Sequence, residues 1–364
     1  MAEVVEQRLR AHHLVDEPLP SVAEAVSWFG AVQSQDYPAA KWALGQRLRG
    51  MTDKDVDAVF DKGGILRTHV LRPTWHFVPP RDIKWIQELT SPRVMAGLAG
   101  RHRRLELDSR TLARAADMFG EALAGGSSMT RSELGALLTA ARINVDGQRL
   151  PHLIAAAEHG NLITSGPRRG NQFTYALLSE RAPRARTLDR DEALKELTFR
   201  YFRSHGPAQM KDLGWWSGLS IAEIKKGIHL AGNALELQQI DGVAYWSGPN
   251  GGGRVGLVAH LLPNFDEFTV AYRDRSALLD PAIPFDAKHF AYYREATPMG
   301  GILSNIVTVG GVVRGAWNRT IVRGGLSIEV RPLAPLKPAE VNAIQSAAGA
   351  MSRFLERSVK ITGI

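Results

Sequence analysis

One plan of secondary structure recurs along the first two-thirds of the chain: helices, a short helix, then a β-hairpin. The second copy is the clearest, with apolar residues at helical spacing in "SRTLARAADMFGEALAGG" (109–126) and "LPHLIAAAEHGNLI" (150–163). Between them, Thr130 and Glu133 have the spacing of a capping box. Two β-like runs then flank the turn "GPRRG". Helices followed by a basic hairpin predict a winged helix.

The third copy repeats this order. "DEALKELTFRYFRSHG" predicts a helix that ends at Gly206, and Pro207 is expected in the first position of the short helix that follows. Ser220 and Glu223 again have the capping spacing. The dipeptide Asp241-Gly242 predicts the hairpin turn.

The first copy fits the plan more loosely. "SVAEAVSWFGAVQSQ" and "AAKWALGQRL" are predicted to be helical, Thr52 caps the next helix, and "ILRTHVLRPTWHFVP" is predicted to be a strand pair. A plan shared by three consecutive stretches indicates a tandem array.

The pattern changes near Gly248. "GPNGGG" is typical of a flexible linker. A G-x-G-x-x-G match at 251–256 is assigned to this linker, because a strand-like run and not a helix follows it. Short apolar, β-rich runs up to Pro332 predict a small sheet or barrel, and a helix closes the chain.

The sequence therefore predicts an α+β protein. It comprises a tandem array of three winged helix-turn-helix units, followed by a small β-rich, barrel-like domain with a C-terminal helix. The predicted bounds are 1–100, 101–186, 187–248 and 249–364.

Composition excludes several kinds of chemistry. The chain has no cysteine, so disulfides, thiolate metal sites and cysteine nucleophiles are excluded. Its 11 histidines are scattered, and no H-E-x-x-H, phosphate-loop or G-x-S-x-G motif occurs. We therefore expect no metal and no cofactor. No apolar run approaches the ~20 residues of a membrane span, and the N-terminus lacks the apolar core of a signal peptide. These features predict a cytoplasmic protein without a membrane partner.

The charge balance favours a polyanionic partner. Lysine and arginine number 45 against 37 aspartates and glutamates, a formal net charge of +8. Arg101, Arg103 and Arg104 lie in the basic run "RHRRLELDSR", which is either a solvated helix face or a phosphate contact. Arg168 and Arg169, at the tip of the second hairpin, are the better candidates for DNA binding.

Two polar clusters in the first copy leave alternatives open. In "GAVQSQDYPAAKWALGQRL", Gln33 and Gln35 either satisfy backbone groups near a helix end or form a functional site. His69, Arg72 and His76 crowd the hairpin that follows. Burying such groups unpaired is costly. They are therefore either a polar network that ties the hairpin to a helix or the support of a site beside the two glutamines.

Four separated segments carry a family resemblance: "GAVQSQDYPAAKWALGQRL", "LRTHVLRPTWHFVPPRD", "LLPNFDEFTVAYRDRSALLDP" and "GGVVRGAWNR". In this order they resemble the winged-helix family that includes the AlkZ and YcaQ DNA glycosylases. The resemblance implies that Gln33 and Gln35 are a catalytic Gln-x-Gln motif that cleaves the N-glycosidic bond of alkylated purines, including crosslinked ones. Ser34 departs from the small apolar residue of the family pattern. The resemblance also implies a hairpin in the β-rich domain that engages bulky lesions.

The leading prediction is a monofunctional glycosylase that acts on double-stranded DNA without an obligatory protein partner. No lysine lies in the motif, so we expect no Schiff base and no strand-nicking step. The alternative is a non-catalytic winged-helix DNA-binding protein or regulator. A regulator reads bases through a helix in the major groove, and "TRSELGALLTAARI" and "PAQMKDLGWWSG" offer few suitable side chains.

Overall fold

The computed structural model describes residues 1–249, 255–284 and 303–364. The predicted glycine-rich linker lies largely outside these residues. The chain combines helices and strands in every part that is described, which confirms the mixed α+β class. No helix in these three ranges is long and apolar enough to cross a membrane.

The first segment forms a three-stranded sheet in the order β1-β3-β2. Its elements are α1 (Ala2–Ala11), α2 (Val22–Phe29), β1 (Val32–Gln33), α3 (Tyr37–Gly45), α4 (Asp53–Asp61), β2 (Leu66–Val70) and β3 (Thr74–Val78). The helix predicted to run through both glutamines is wrong. Helix α2 ends at Gly30, whose φ of +78° suits glycine, and the chain continues as strand β1.

The second segment repeats this topology, with its strands in the order β4-β6-β5. A long helix, α5 (Ile83–Arg104), leads into α6 (Ser109–Ala122), β4 (Met129–Thr130), α7 (Arg131–Ala140), α8 (Arg149–His159), β5 (Ile163–Ser165), β6 (Thr174–Leu177) and α9 (Leu178–Arg181). The capping box of Thr130 and Glu133 is confirmed.

The third segment has the same order, with an isolated bridge from Ala208 to Trp246 in place of the first strand. It contains α10 (Arg190–His205), α11 (Met210–Ser217), α12 (Ile221–Ala231), β7 (Glu236–Ile240) and β8 (Val243–Ser247). The Ser220 cap and the turn at Asp241-Gly242 are confirmed. The placement of Pro207 inside the short helix is wrong, because α11 begins at Met210, after the bridge.

The C-terminal strands form one sheet in the order β13-β12-β11-β10-β9. Its elements are β9 (Ala259–Leu262), α13 (Glu267–Val270), β10 (Ile306–Val309), β11 (Val312–Val322), β12 (Gly325–Pro332), α14 (Pro338–Leu355) and β13 (Ser358–Thr362). Within the described residues this sheet is open, which is the sheet alternative of the prediction and not a closed barrel. Both faces are covered without closure: Ile344 and Met351 of α14 pack on one side, and Val5 and Leu9 of α1 on the other.

The hydrophobic cores join the segments. Leu66 and Val78 of the first sheet share a core with Trp85 of α5 and with Tyr201 and Trp216 of the third segment. Residues of α2 and α3 share another core with the C-terminal sheet and α14. The short sheet β1-β3-β2 consequently lies where the third segment and the C-terminal region both meet the first segment.

Candidate active site

The two predicted glutamines lie on and just after the edge strand β1. Gln33 is 6% exposed, whereas Gln35 is exposed to solvent. The backbone N–H of Ser34 donates to the Trp75 carbonyl oxygen at 2.8 Å, and the Trp75 N–H donates to Oε1 of Gln35 at 3.3 Å. These bonds fix the motif against β3. Asp36, which follows Gln35 in the sequence, caps α3 by accepting a hydrogen bond from the Ala39 N–H.

Gln33 lies directly across from His76 in the register of β1 and β3, so their side chains share one face of the sheet. Nδ1–H of His76 donates to the Thr74 carbonyl oxygen at 3.0 Å, which leaves Nε2 as an acceptor. Burial lowers the pKa of His76 to about 4, so the ring is neutral at pH 7. Oε1 of Gln33 and Nε2 of His76 are both buried without a protein partner. One face therefore presents two buried acceptors that no group in the described part of the chain occupies.

A buried carboxylate that sequence reasoning missed completes this region. Glu267, at the start of α13, is 2% exposed. Its Oε1 accepts the backbone N–H of Gln33 at 2.6 Å, while Oε2 accepts from Trp216 Nε1 at 3.0 Å and from His205 Nε2 at 3.3 Å. Its signal in the sequence was an acidic residue inside the apolar run "LLPNFDEFTV", where an unpaired charge is costly.

Arg72 follows strand β2 at the hairpin turn and lies near this cluster. Its guanidinium is 5.1 Å from the centre of the Trp215 ring. Nε and Nη2 are buried and have no acceptor within the described part of the chain. Burial lowers the pKa of Arg72, and the charge of Glu267 opposes that shift. Arg72 thus keeps donors available near His76 and Glu267.

His69 is directed elsewhere. It pairs with Trp75 in the hairpin register, whereas His76 pairs with Thr68, so the two imidazoles lie on opposite faces. Nδ1 of His69 is 2.5 Å from Oε2 of Glu158 on α8, and its ring lies 4.0 Å from the Trp75 ring. For His69, the alternative of a network tying the hairpin to a helix describes the observed contacts. Of the three residues, His76 lies directly across from Gln33, Arg72 lies near His76 and Glu267, and His69 lies on the other face.

Both arginines at the tip of the second hairpin form ion pairs within the protein. Arg168 is only 15% exposed, because its guanidinium pairs with Asp61 at 2.8 Å and Asp57 at 3.0 Å on α4. Arg169 is half-exposed and pairs with Glu133 at 2.6 Å. Arg168 therefore does not project freely from the tip, since these carboxylates draw it onto the first segment. Arg169 remains the candidate phosphate contact of this tip.

Arg168→Ala is therefore expected to lower stability by about 1–2 kcal/mol and to change DNA affinity little, because it removes hydrogen bonds to two carboxylates. Burial raises the pKa of Asp61, but the hydrogen bonds from Arg168 lower it further, so its net pKa lies below 3.8. The stability that the Arg168–Asp61 pair contributes is therefore fully present above pH 3.8, and it is lost as the pH falls through the lowered pKa of Asp61. Urea unfolding at pH 7 and pH 3 measures it.

Arg169→Ala is the matched control at the tip. We expect it to weaken binding to DNA with little change in the unfolding midpoint. An Arg168→Ala protein of unchanged stability and reduced DNA affinity would contradict the assignment of Arg168 to a structural role.

The remaining predicted arginines lie at the end of α5. Arg103 and Arg104 are exposed, and neither forms an ion pair with any residue that the structure describes. Arg101 donates to the side-chain oxygen of Gln148. Within residues 1–249, 255–284 and 303–364, no cluster of three histidine or carboxylate side chains could hold a metal ion.

Comparison with known proteins gives two matches. A family model described as DNA glycosylase AlkZ-like matches residues 26–354. The fold is similar to the solved structure of Streptomyces sahachiroi DNA glycosylase AlkZ, with a TM-score of 0.79 and 20% sequence identity over 99% of each chain. At that identity the likeness establishes the fold alone. No curated protein matches the sequence.

Proposed function

The chain belongs to the AlkZ-like DNA glycosylase family, and on this basis we propose that it removes cationic alkylated purines, such as N7-alkylguanine, from double-stranded DNA. A DNA glycosylase hydrolyses the N-glycosyl bond. We propose further that the three repeated segments act as winged helices on the duplex.

The substrate class follows from the chemistry that amides can perform. Alkylation at N7 gives the purine a positive charge, so the base leaves without a general acid. As the bond breaks, its electron pair goes to N9 and neutralises the ring. The water oxygen bonds to C1′, and a water proton leaves to solvent. The protein then has to place one water and favour a cationic transition state.

The single observation that carries the proposal is the pair of buried acceptors on one face of β1 and β3. Oε1 of Gln33 and Nε2 of neutral His76 have no partner among the residues that the structure describes. Directly opposed residues of an antiparallel pair have Cβ atoms about 4.5–5.5 Å apart. Two acceptors on neighbouring side chains of one face suit the two hydrogens of one water molecule, which leaves the water oxygen free to attack.

Gln35 has a different part in this proposal. Its carbonyl oxygen is occupied by the Trp75 N–H, and its exposed side chain retains an amide NH2 that can donate to the reacting nucleotide and so act on the same step as Gln33. We propose that Ser34 keeps the motif fixed, because it is fully buried and its N–H is bonded to β3, although its hydroxyl has no partner among the described residues. The departure at this position is therefore compatible with a fixed arrangement of both glutamines.

Exposed cations and one hairpin supply the proposed DNA contacts. Arg103, Arg104 and Arg169 would bind phosphates, which fix the register of a protein on DNA without reading its sequence. The tip of the β11–β12 hairpin carries Ile321, which is 76% exposed, and the exposed Arg323. We assign to this hairpin the role of engaging bulky or crosslinked lesions.

The test of the proposed function is release of free base from a duplex that contains one N7-methylguanine. We expect the wild-type protein to release N7-methylguanine, detected by mass spectrometry, and to leave an abasic site in an unbroken strand. The same duplex with guanine at that position is the control. Tight binding without release would instead support the non-catalytic DNA-binding protein.

Arg72→Ala is expected to weaken binding to damaged and undamaged duplex alike, because its unpaired donors are proposed to hold a phosphate. Loss of one phosphate contact reduces the slope of log affinity against log salt by about 1. Fluorescence anisotropy over a range of salt concentrations measures the slope.

Arg275→Ala is the control for Arg72. Arg275 packs on the same indole but is 8% exposed; its Nε donates to the Thr269 carbonyl oxygen, and only its Nη2 is buried without an acceptor among the described residues. We expect the control to keep the wild-type slope. Equal slopes for the wild-type and Arg72→Ala proteins would remove Arg72 from the DNA contacts.

A further inference from the structure

Glu267 completes the hydrogen bonding of an edge strand. Strand β1 pairs with β3 on one side only, and the N–H of Ser34 is directed toward β3. Because successive N–H groups of a strand alternate in direction, the N–H of Gln33 points away from β3. The Glu267 carboxylate accepts that N–H at 2.6 Å, across 234 positions of sequence. The backbone of Gln33 is thus held from both sides.

The carboxylate is buried as an anion. Burial raises the pKa of Glu267, but the hydrogen bonds that it accepts from His205 and from the Gln33 N–H outweigh this effect, so the net pKa lies below 4.5. Trp216 Nε1 donates to the same carboxylate, and Arg72 adds a nearby positive charge. The region around Gln33 therefore contains a buried negative charge at neutral pH.

We propose that Glu267 is the positioning residue of the glycosylase reaction. It holds strand β1 so that the side chain of Gln33 is oriented to bind the attacking water, and its negative charge favours the cationic transition state. Prearranged charge of this kind acts strongly where water is excluded. This inference rests on the proposed function and adds a residue that contacts neither the base nor the water.

Anchoring of the segment does not require this carboxylate. Asp266, the preceding residue, caps α13 and forms a bidentate ion pair with Arg47 at 2.7 and 3.0 Å. Asp266 thus already ties the start of α13 to the first segment. The contacts of Glu267 are instead directed at Gln33 and at the two donors from the third segment.

Two substitutions separate geometry from charge. Glu267→Gln keeps an oxygen that can accept the Gln33 N–H but removes the charge and the acceptor of the Trp216 Nε1–H, and Glu267→Ala removes both oxygens and the charge. Under single-turnover conditions we expect base release to slow about tenfold in Glu267→Gln and about 10²–10³-fold in Glu267→Ala. DNA affinity is expected to stay within about twofold of wild type. Hydrogen exchange at Gln33 should accelerate only in Glu267→Ala.

Asp212→Asn is the matched control. Asp212 is an equally buried carboxylate that accepts the backbone N–H groups of Gln209, Arg273 and Asp274, and it has no contact with Gln33. We expect this variant to lose stability but to retain the wild-type rate per folded molecule.

Trp216→Phe provides a milder variant with a readout that a purely structural role would not change. It removes one donor to the carboxylate and so raises the pKa of Glu267. The acid limb of the pH–rate profile should consequently move to higher pH. An unchanged profile would contradict the proposed role of the charge.

The outcomes distinguish the inference from the proposed function. Wild-type release of N7-methylguanine with slow release by both Glu267 variants supports the inference. Release by the Glu267 variants at the wild-type rate per folded molecule overturns it and leaves the proposed function standing. A wild-type protein that releases no base overturns the proposed function, and the inference with it.

Discussion

Gln33→Ala is expected to slow the release of N7-methylguanine by about 10²–10³-fold, the usual loss when one prearranged polar group is removed from a site of this kind. The substitution removes the buried Oε1 and leaves the backbone bond to Glu267 in place. DNA affinity and the unfolding midpoint should change little. Single-turnover assays with excess protein isolate the chemical step from binding and product release.

Gln35→Ala is expected to reduce the rate in a similar range. The double variant should lose less than the product of the two single losses, because both residues act on one reaction step. Gln87→Ala is the control, since Gln87 is a buried glutamine that donates to the His69 carbonyl oxygen. It should lose stability and keep its rate. If the Gln33 and Gln35 variants unfolded early and lost binding and activity together, the two amides would be structural.

The parts of the fold that the sequence predicted correctly depend on local interactions. The caps at Thr52, Thr130 and Ser220 each join residues three apart, and all three are present. The turn at Asp241-Gly242 likewise needs only its own backbone conformation. The wrong prediction of a helix through Gln33 also has a local cause. The apolar pattern continues past Gly30, although the helix already ends at that glycine.

The parts that the sequence did not predict depend on contacts between distant segments. Alternation along β2 could not place His69 and His76 relative to each other, since their faces follow from the pairing of two strands. Glu158, which binds His69, and Asp61, which binds Arg168, come from other segments. Glu267 carried a signal as an acid in an apolar run, but only the folded chain brings it to Gln33.

The buried ion pair of Arg47 and Asp266 shows how far such contacts can support the site. Arg47 follows α3, and Asp266 directly precedes Glu267, so the pair joins the first segment to the start of α13. Both side chains are almost fully buried. The guanidinium also donates to the carbonyl oxygens of His12 and Ala43, which leaves the carboxylate as its only partner of opposite charge in the part of the chain that the structure describes.

Asp266→Ala is expected to lower the free energy of unfolding by about 3–5 kcal/mol, because it leaves the Arg47 guanidinium buried without its counter-charge. Urea denaturation followed by tryptophan fluorescence measures this loss. Glu17→Ala is the control. It breaks the ion pair between Glu17 and Arg49, two exposed side chains, and should leave the unfolding midpoint almost unchanged. Equal midpoints for Asp266→Ala and Glu17→Ala would contradict the structural role of the buried pair.

Since Asp266 touches neither glutamine, the molecules of Asp266→Ala that remain folded should release base at close to the wild-type rate. A loss of rate beyond the loss of folded protein would mean that the buried pair also helps to place Glu267 against Gln33.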